Sequence, residues 1–383
     1  MRLAVVCPRF PYPLEKGDKL RIYHQLRLLS EHHEICLIAI AEQQVADRYR
    51  TVIEDITTEC HIITIPKSAR TVSAAMALLT GGSLQSAHYY SRKAHSQVRQ
   101  ILAEFAPDHI YCQLIRVAAY VQDSPLPKTL DYMDAFGVGM ERRATVTNGL
   151  QKLLYKIEAK RCKQHEVAVY QKFDHHTIIS EQDRLCIGSG ELPITVNPNG
   201  IDTTYFSPID KFEDHDIGFV GNMGYPPNVD AAEYLVNKLG LGDKYKLLIA
   251  GARPSKRVKL LASDNVTITG WVDDVRQEYA RCHIFVAPLW SGTGQQNKIL
   301  EAMAMGIPCV TTSAVNNAIR ASDGNEILIA DSEDQFAKAI GRLMTDAVLH
   351  KKIRENGIRL VKDKFSWRHN VDTLQGIFNK GNK

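Results

Sequence analysis

The sequence lacks several features that would have named a function class at once. No apolar run approaches the roughly 20 residues that span a bilayer. The eight cysteines are scattered: none forms C-x-x-C, and none joins histidines at zinc-binding spacing. No histidines stand in H-x-x-x-H or triad-like order, and no short internal repeat is visible. The excess of positive charge is only +4. These absences argue against a membrane span, a zinc-stapled module and a dedicated nucleic-acid binder, while leaving room for one basic face. The start, "MRLAVVCPRFPYP", carries one basic residue and a short apolar run, but prolines follow at once and no small-residue cleavage site appears. It reads as a first strand, so a reduced, cytoplasmic compartment is expected. Cys7, Cys36 and Cys309 sit in apolar runs, where a cysteine is a small buried hydrophobe.

What is present points to packed α/β structure. The 383 residues are 44% hydrophobic and 23% charged, enough for two ordinary domains with real cores. Short apolar runs alternate with amphipathic helices, the pattern of parallel sheets. "RLAVVC", "EICLIAIA", "HIITIP", "HIYCQL", "TLDYMDA" and "HHTIIS" read as strands of a first half. A helix starts near Asp18, with Ile22, Leu26 and Leu29 on one face. Residues 150–173 form a long basic helix pattern. There Lys152, Lys156, Lys160, Arg161, Lys163 and Lys172 alternate with Leu153, Leu154, Ile157 and Val167. The proline-rich stretch 191–216 reads as a domain boundary. The alternation then restarts with "DIGFVG", "YKLLIAG", "VTITGW", "HIFVAPL", "IPCVTTS" and "EILIA". The expected division is 1–190, 191–365 and a tail helix over 366–383, with a cleft between the two α/β domains.

One stretch carries most of the chemistry: "SGTGQQNKILEAMAMG", residues 291–306. Lys298 lacks the Gly before it and the Ser/Thr after it that a Walker loop needs. Gly292 and Gly294 begin a G-x-G-x-x-G, but Asn297 stands where the third glycine belongs. The context is still strand, glycine turn, helix, in which backbone N–H groups and the helix dipole meet a phosphate. At 100° per residue Asn297, Lys298 and Glu301 share a narrow arc, and Ile299, Leu300, Ala302, Met303 and Ala304 fill the wider one. The lysine suits a diphosphate, and the carboxylate suits two ribose hydroxyls. The plainer account is a solvated helix face with a Lys–Glu pair at i to i+3.

"NKILEAMAMGIPCVTT" is similar to the donor-site signature of GT-B glycosyltransferases, in particular the large retaining family 4. "VNPNGIDTTYF", "FVGNMGYPPNVDAAEYL", "ITGWVDDVRQEYARCHIFVAPL" and "FSWRHNVDTL" resemble further segments of that family in the same order. The front end, with "LDYMDA", resembles a subgroup of sugar transferases of exopolysaccharide systems. The likeness is strongest over 195–370. It implies two Rossmann-like β/α/β domains and a C-terminal helix crossing back to the first. It also implies a nucleotide-sugar donor in the second domain and a glycan or lipid-linked acceptor at the first. One position departs: the first glutamate of the family's E-x7-E falls on Thr293.

The resemblance implies further site residues. Arg253 would join Lys298 at the diphosphate. Trp271 and Val272 would lie at the base, and Gly17, Gly221 and Gly224 would approach the donor. Gly292, Thr293, Gly294, Gln295, Asn297 and Glu301 would complete the donor loop. Asp131 and Asp134 stand at a strand end, where they could orient or deprotonate an acceptor hydroxyl, or be solvated acids. Asp18 could be an N-cap. No metal and no cofactor are expected beyond a UDP- or GDP-sugar co-substrate, since two cations can hold the leaving diphosphate. The helix over 150–173 could lie on anionic lipid, or pack with a solvated basic face. A nucleotide-sugar 2-epimerase and a non-catalytic partner subunit on the same fold are the alternatives.

Overall fold

The computed structural model describes residues 1–41, 43–145, 147–210, 212–290 and 295–382. It divides into two units: Met1–Pro198 with Asn370–Lys383, and Asn199–His369. Each is built on a parallel sheet.

In the first unit the strands are β1 (Arg2–Cys7), β2 (Glu34–Ala41), β3 (Glu59–Thr64), β4 (His109–Gln113), β5 (Lys128–Asp131), β6 (His175–Ile178) and β7 (Thr195–Val196). Their order is β3-β2-β1-β4-β5-β6-β7, with every pairing parallel. β1 and β2 are buried along almost their whole length, as parallel strands covered by helices on both faces must be. That is why "RLAVVC" and "EICLIAIA" read as unbroken apolar runs instead of alternating ones. β7 lies inside the proline-rich stretch read as a boundary. Thr195 and Val196 pair with Thr177 and Ile178, so the sheet takes in two more residues before the unit ends.

In the second unit the strands are β8 (His215–Val220), β9 (Leu247–Ala250), β10 (Val266–Ile268), β11 (Cys282–Ala287), β12 (Cys309–Thr311) and β13 (Leu328–Ile329). Their order is β10-β9-β8-β11-β12-β13, again parallel throughout. The core gathers around Phe219, Ile249, Phe285, Leu300 and Phe336. The order turns at β8: β9 lies on one side of it and β11 on the other. In an open α/β sheet this reversal leaves a crevice at the carboxyl ends of the strands, where ligands bind.

Candidate active site

The loops after β8 and β9 are sewn together. Gly221 N donates to Ala250 O at 2.9 Å, Met223 N to Ala252 O at 2.8 Å, and Ser255 N to Met223 O at 3.1 Å. The approach requires glycine at Gly251. Its φ is +134°, and a Cβ there would stand 1.8 Å from Gly221 O. Arg253 holds a left-handed conformation at φ 55° and is exposed. Gly224 lies against it, with a Cβ position 3.0 Å from Arg253 O.

On the far side of β8, the helix Asn297–Ala304 follows β11. Burial follows the arc drawn from the sequence: Ile299, Leu300, Ala302, Met303 and Ala304 are inside, and Asn297, Lys298 and Glu301 are part-exposed. Lys298 and Glu301 do not form the i to i+3 surface pair; each takes another partner. Lys298 Nζ donates to Asn228 Oδ1 and lies 5.1 Å from the Phe219 ring centroid. Asn228, in the helix Pro226–Glu233, in turn donates Nδ2 to Asn222 O at 2.9 Å, so the lysine is tied through that helix to the loop after β8. Burial brings its pKa down to about 8, against the pull of Glu301. Gly221 leaves the space: a Cβ there would be 3.1 Å from Lys298 Nζ and 2.8 Å from Asn228 Nδ2. Glu301 Oε2 accepts from the buried Tyr279 hydroxyl at 2.8 Å, and burial raises its carboxyl pKa. An ammonium and a carboxylate, one turn apart, are thus presented from rigid elements at the switch point.

The remaining second-unit residues have varied settings. Gln295 braces the backbone of Asn199, donating Nε2 to its carbonyl at 2.7 Å and accepting from its N–H at 3.0 Å. Trp271 is 78% exposed in the turn after β10, and Val272 is part-buried. Gly292, Thr293 and Gly294 lie outside the described residues. Asn228, Asn222 and Tyr279 were not singled out in the sequence. Their partners are 70, 6 and 22 residues away in the chain, and no periodicity signals such pairs.

In the first unit, the two carboxylates of "LDYMDA" part company. Asp131 has no exposed surface. It accepts from Arg21 Nε at 2.6 Å and from Thr177 Oγ1 at 3.0 Å, with the Tyr111 hydroxyl at 2.9 Å. Arg21 also donates to Asn197 O at 3.0 Å, and Gln25 to Asn370 Oδ1 at 3.0 Å. Burial alone would lower the Arg21 pKa, but the Asp131 charge raises it overall. Asp131 is therefore a structural counter-ion, which corrects its expected place at an acceptor hydroxyl. Asp134 keeps an exposed side chain. The protein packed around it, then Asp183 and Asp131, push its carboxyl up to about 6.

Gly17 is exposed at the start of the helix Gly17–Leu29, with open space where a Cβ would stand. Asp18 does not cap that helix; it pairs with Arg9. His109 is buried against Phe378, and burial holds its imidazole down to about 4. Among the described residues, one group could reach a metal: Cys36, Glu59 and His61, on β2 and β3. His61 Nε2 lies 2.9 Å from Glu59 Oε2, and burial pushes the Cys36 thiol up to about 12.

The family model described as "Glycosyl transferases group 1" matches residues 214–346. An uncharacterised 44.6 kDa protein in the cps region of Klebsiella pneumoniae is 24% identical over 385 residues, covering 95% of this chain and 96% of that one. The UDP-Gal:α-D-GlcNAc-diphosphoundecaprenol α-1,3-galactosyltransferase of Escherichia coli is 25% identical, covering 55% of this chain and 61% of its own length. The capsular polysaccharide glycosyltransferase CapM of Staphylococcus aureus is 26% identical over 43% of this chain and 45% of its own length. Among solved structures, HepE of Anabaena in complex with UDP superposes with a TM-score of 0.69 at 13% identity. That match covers 99% of this chain and all of the other. Sucrose-phosphate synthase of Thermosynechococcus elongatus gives 0.67 at 14%, covering 99% and 98%. These comparisons favour neither an isomerase nor a non-catalytic subunit. The doubly wound fold of both units, the matched model over the second and the named relatives make this chain a glycosyltransferase of GT-B architecture.

Proposed function

We propose that this enzyme moves a hexose-type sugar from a UDP- or GDP-sugar to a hydroxyl of a glycan or lipid-linked acceptor, with retention, in the assembly of a surface polysaccharide. Retention and family 4 membership rest on the resemblance of "NKILEAMAMG" to that family's donor signature. The relatives' names point to capsule and lipopolysaccharide assembly. HepE was solved with UDP-glucose, which supports the donor class. One observation carries the reading: the Lys298 ammonium, held by Asn228 in the room that Gly221 leaves for the pair.

In this reading Lys298 and Arg253 take the diphosphate, and Glu301 takes the ribose hydroxyls. Asn297, Gly221 and Gly224 border the donor, with Trp271 and Val272 at the base. As the bond from the anomeric carbon to the diphosphate breaks, its electron pair passes to the phosphate oxygen. Fixed cations stabilise that charge, and in a water-poor site this is the largest catalytic term. Asp134, largely ionised at neutral pH, accepts the proton of the acceptor hydroxyl as its oxygen bonds to the anomeric carbon on the face that the diphosphate leaves, which keeps the configuration. No metal is needed where two side-chain cations neutralise the diphosphate. The enzyme acts in the cytoplasm, with the helix Gly149–Tyr170 touching the membrane that carries a lipid-linked acceptor.

The test is a thermal-shift panel of UDP-, GDP- and ADP-sugars, followed by product analysis with the best donor. Glu301→Ala and Lys298→Ala should each abolish or strongly weaken donor binding without unfolding the protein. Wild-type binding by both variants would sink the assignment.

A further inference from the structure

Two helices of the first unit carry their polarity inside out. In Gly149–Tyr170 the buried residues are Glu158, Ala159, Cys162, Glu166 and Val169. Each of its two acids has an oxygen bonded there, while Glu158 Oε2 is buried without a partner. Glu158 Oε1 accepts from Ser83 Oγ at 2.9 Å and Gln85 N at 3.1 Å, and Glu166 Oε1 accepts from Gly137 N at 3.1 Å. The apolar stripe points outward instead. Leu150, Leu153, Leu154 and Ile157, spaced i, i+3, i+4 and i+7, are all exposed, Leu150 by 72%.

The helix Lys67–Thr80 repeats the arrangement. Arg70 and Ala77 are buried, while Val72, Met76 and Leu79, spaced i, i+4 and i+7, are exposed, Leu79 by 85%. The two stripes are linked. Arg161, one turn beyond Ile157 on the same face, donates Nη2 to Leu78 O at 3.3 Å.

A helix of a soluble unit normally turns its apolar stripe to the core. Here the acids turn inward and the apolar stripe is left to water, so the surface is built for a partner and not for the unit's own packing. Charge selects the partner. The helix Lys67–Thr80 contains no acid, and the only acids of Gly149–Tyr170 are the two buried glutamates. Lys67, Lys156 and Lys160 are exposed, and Lys152 and Arg161 part-exposed. Arg142 and Arg143 add exposed positive charge on the helix Phe136–Thr145, which packs alongside. Leucines bordered by a large excess of positive charge, in which the exposed Glu141 is paired with Lys163, match the boundary between acyl chains and anionic headgroups.

We propose that these two helices form one face that docks on anionic lipid, with Leu79, Leu150, Leu153 and Leu154 entering the acyl boundary and the lysines meeting headgroup phosphates. This rests on the lipid contact in the reading above and deepens it to a composite, inserting surface. Its experiment uses neither donor nor acceptor, so its failure and the failure of the donor site are read separately.

The full chain is sedimented with vesicles of phosphatidylcholine alone, and with vesicles that also contain phosphatidylglycerol. It should pellet with the mixed vesicles only, and less as salt rises. Lys156→Gln should lower the partition about fivefold, the equivalent of one basic residue at an anionic surface. Leu79→Glu should lower it more than about tenfold, because a charge replaces an inserting leucine. At so exposed a position, its circular dichroism and melting should match wild type. The proposal is overturned if the wild type does not pellet with mixed vesicles, or pellets equally with phosphatidylcholine. Full binding by Leu79→Glu would overturn it too. So would a dimer in vesicle-free buffer that Leu79→Glu dissociates, which would assign the face to a second copy of the chain.

Discussion

Replacing Lys298 by methionine separates what the lysine costs the fold from what it does for a ligand. Burial brings its pKa from 10.5 to about 8, which corresponds to about 3 kcal/mol against the charged form. The side chain keeps some contact with water, which lowers this to about 2 kcal/mol. The folded pKa lies below the unfolded one. Between pH 8 and 10.5 the unfolded chain therefore holds a proton that the folded chain has released, and stability rises with pH through that window. Below pH 8 the whole penalty is present. Methionine removes the charge but strips Asn228 Oδ1 of its donor, at about 1–3 kcal/mol. At pH 7 the two effects nearly cancel, so one stability measurement decides nothing. The orphaned amide costs the same at every pH, whereas the ammonium does not.

Urea unfolding of both proteins at pH 7 and pH 10 isolates the ammonium, because every other titrating group is shared. Wild type should gain roughly 1–2 kcal/mol on Lys298→Met between the two. Ligand binding should run the other way. A bound diphosphate restores the counter-charge, so above pH 8 UDP binding draws in a proton. Wild-type affinity then falls by up to about tenfold per pH unit. The methionine variant should bind weakly and without pH dependence, as calorimetric titration would record. Stability differences that stay constant from pH 7 to 10, or a wild-type UDP affinity unchanged above pH 8, would refute the reasoning.

How far the sequence could be read follows from the range of each interaction. Both sheets were legible because a parallel strand buried on both faces is an unbroken apolar run, as in "EICLIAIA" and "HIFVAPL". β7 was not, because two residues among prolines carry no pattern; only their pairing with Thr177 and Ile178 makes them a strand. The outward face of the helix Asn297–Ala304 was legible because a helix writes its faces into residue spacing. Asn228 was not, because it meets Lys298 across 70 residues. Asp131 and Asp134 look alike in "LDYMDA". The difference lies in Arg21, 110 residues away, whose guanidinium buries one carboxylate and leaves the other at the surface. The inverted helices were half legible: residues 150–173 showed lysines and leucines, but not which of them face in.

Two further substitutions test positions where packing sets the outcome. Gly221→Ala would place a methyl group 3.1 Å from Lys298 Nζ and 2.8 Å from Asn228 Nδ2. The ammonium must shift, and UDP affinity measured by titration should fall by about tenfold, the usual cost of misplacing a charged hydrogen bond by about 1.4 kcal/mol; wild-type affinity would remove Gly221 from the site. Asp131→Ala should cost about 3–5 kcal/mol in urea unfolding, because Arg21 is left charged with no surface exposed. The double variant Arg21→Met/Asp131→Leu should recover much of that loss, since apolar side chains need no counter-ion. A single variant as stable as wild type, or a double variant no better than the single, would show that the pair is not what secures β5 to the helix Gly17–Leu29. The same pair bears on function: with its carboxylate enclosed by Arg21, Thr177 and Tyr111, Asp131 has no face left for an acceptor. The refolded double variant should therefore still bind UDP as wild type does.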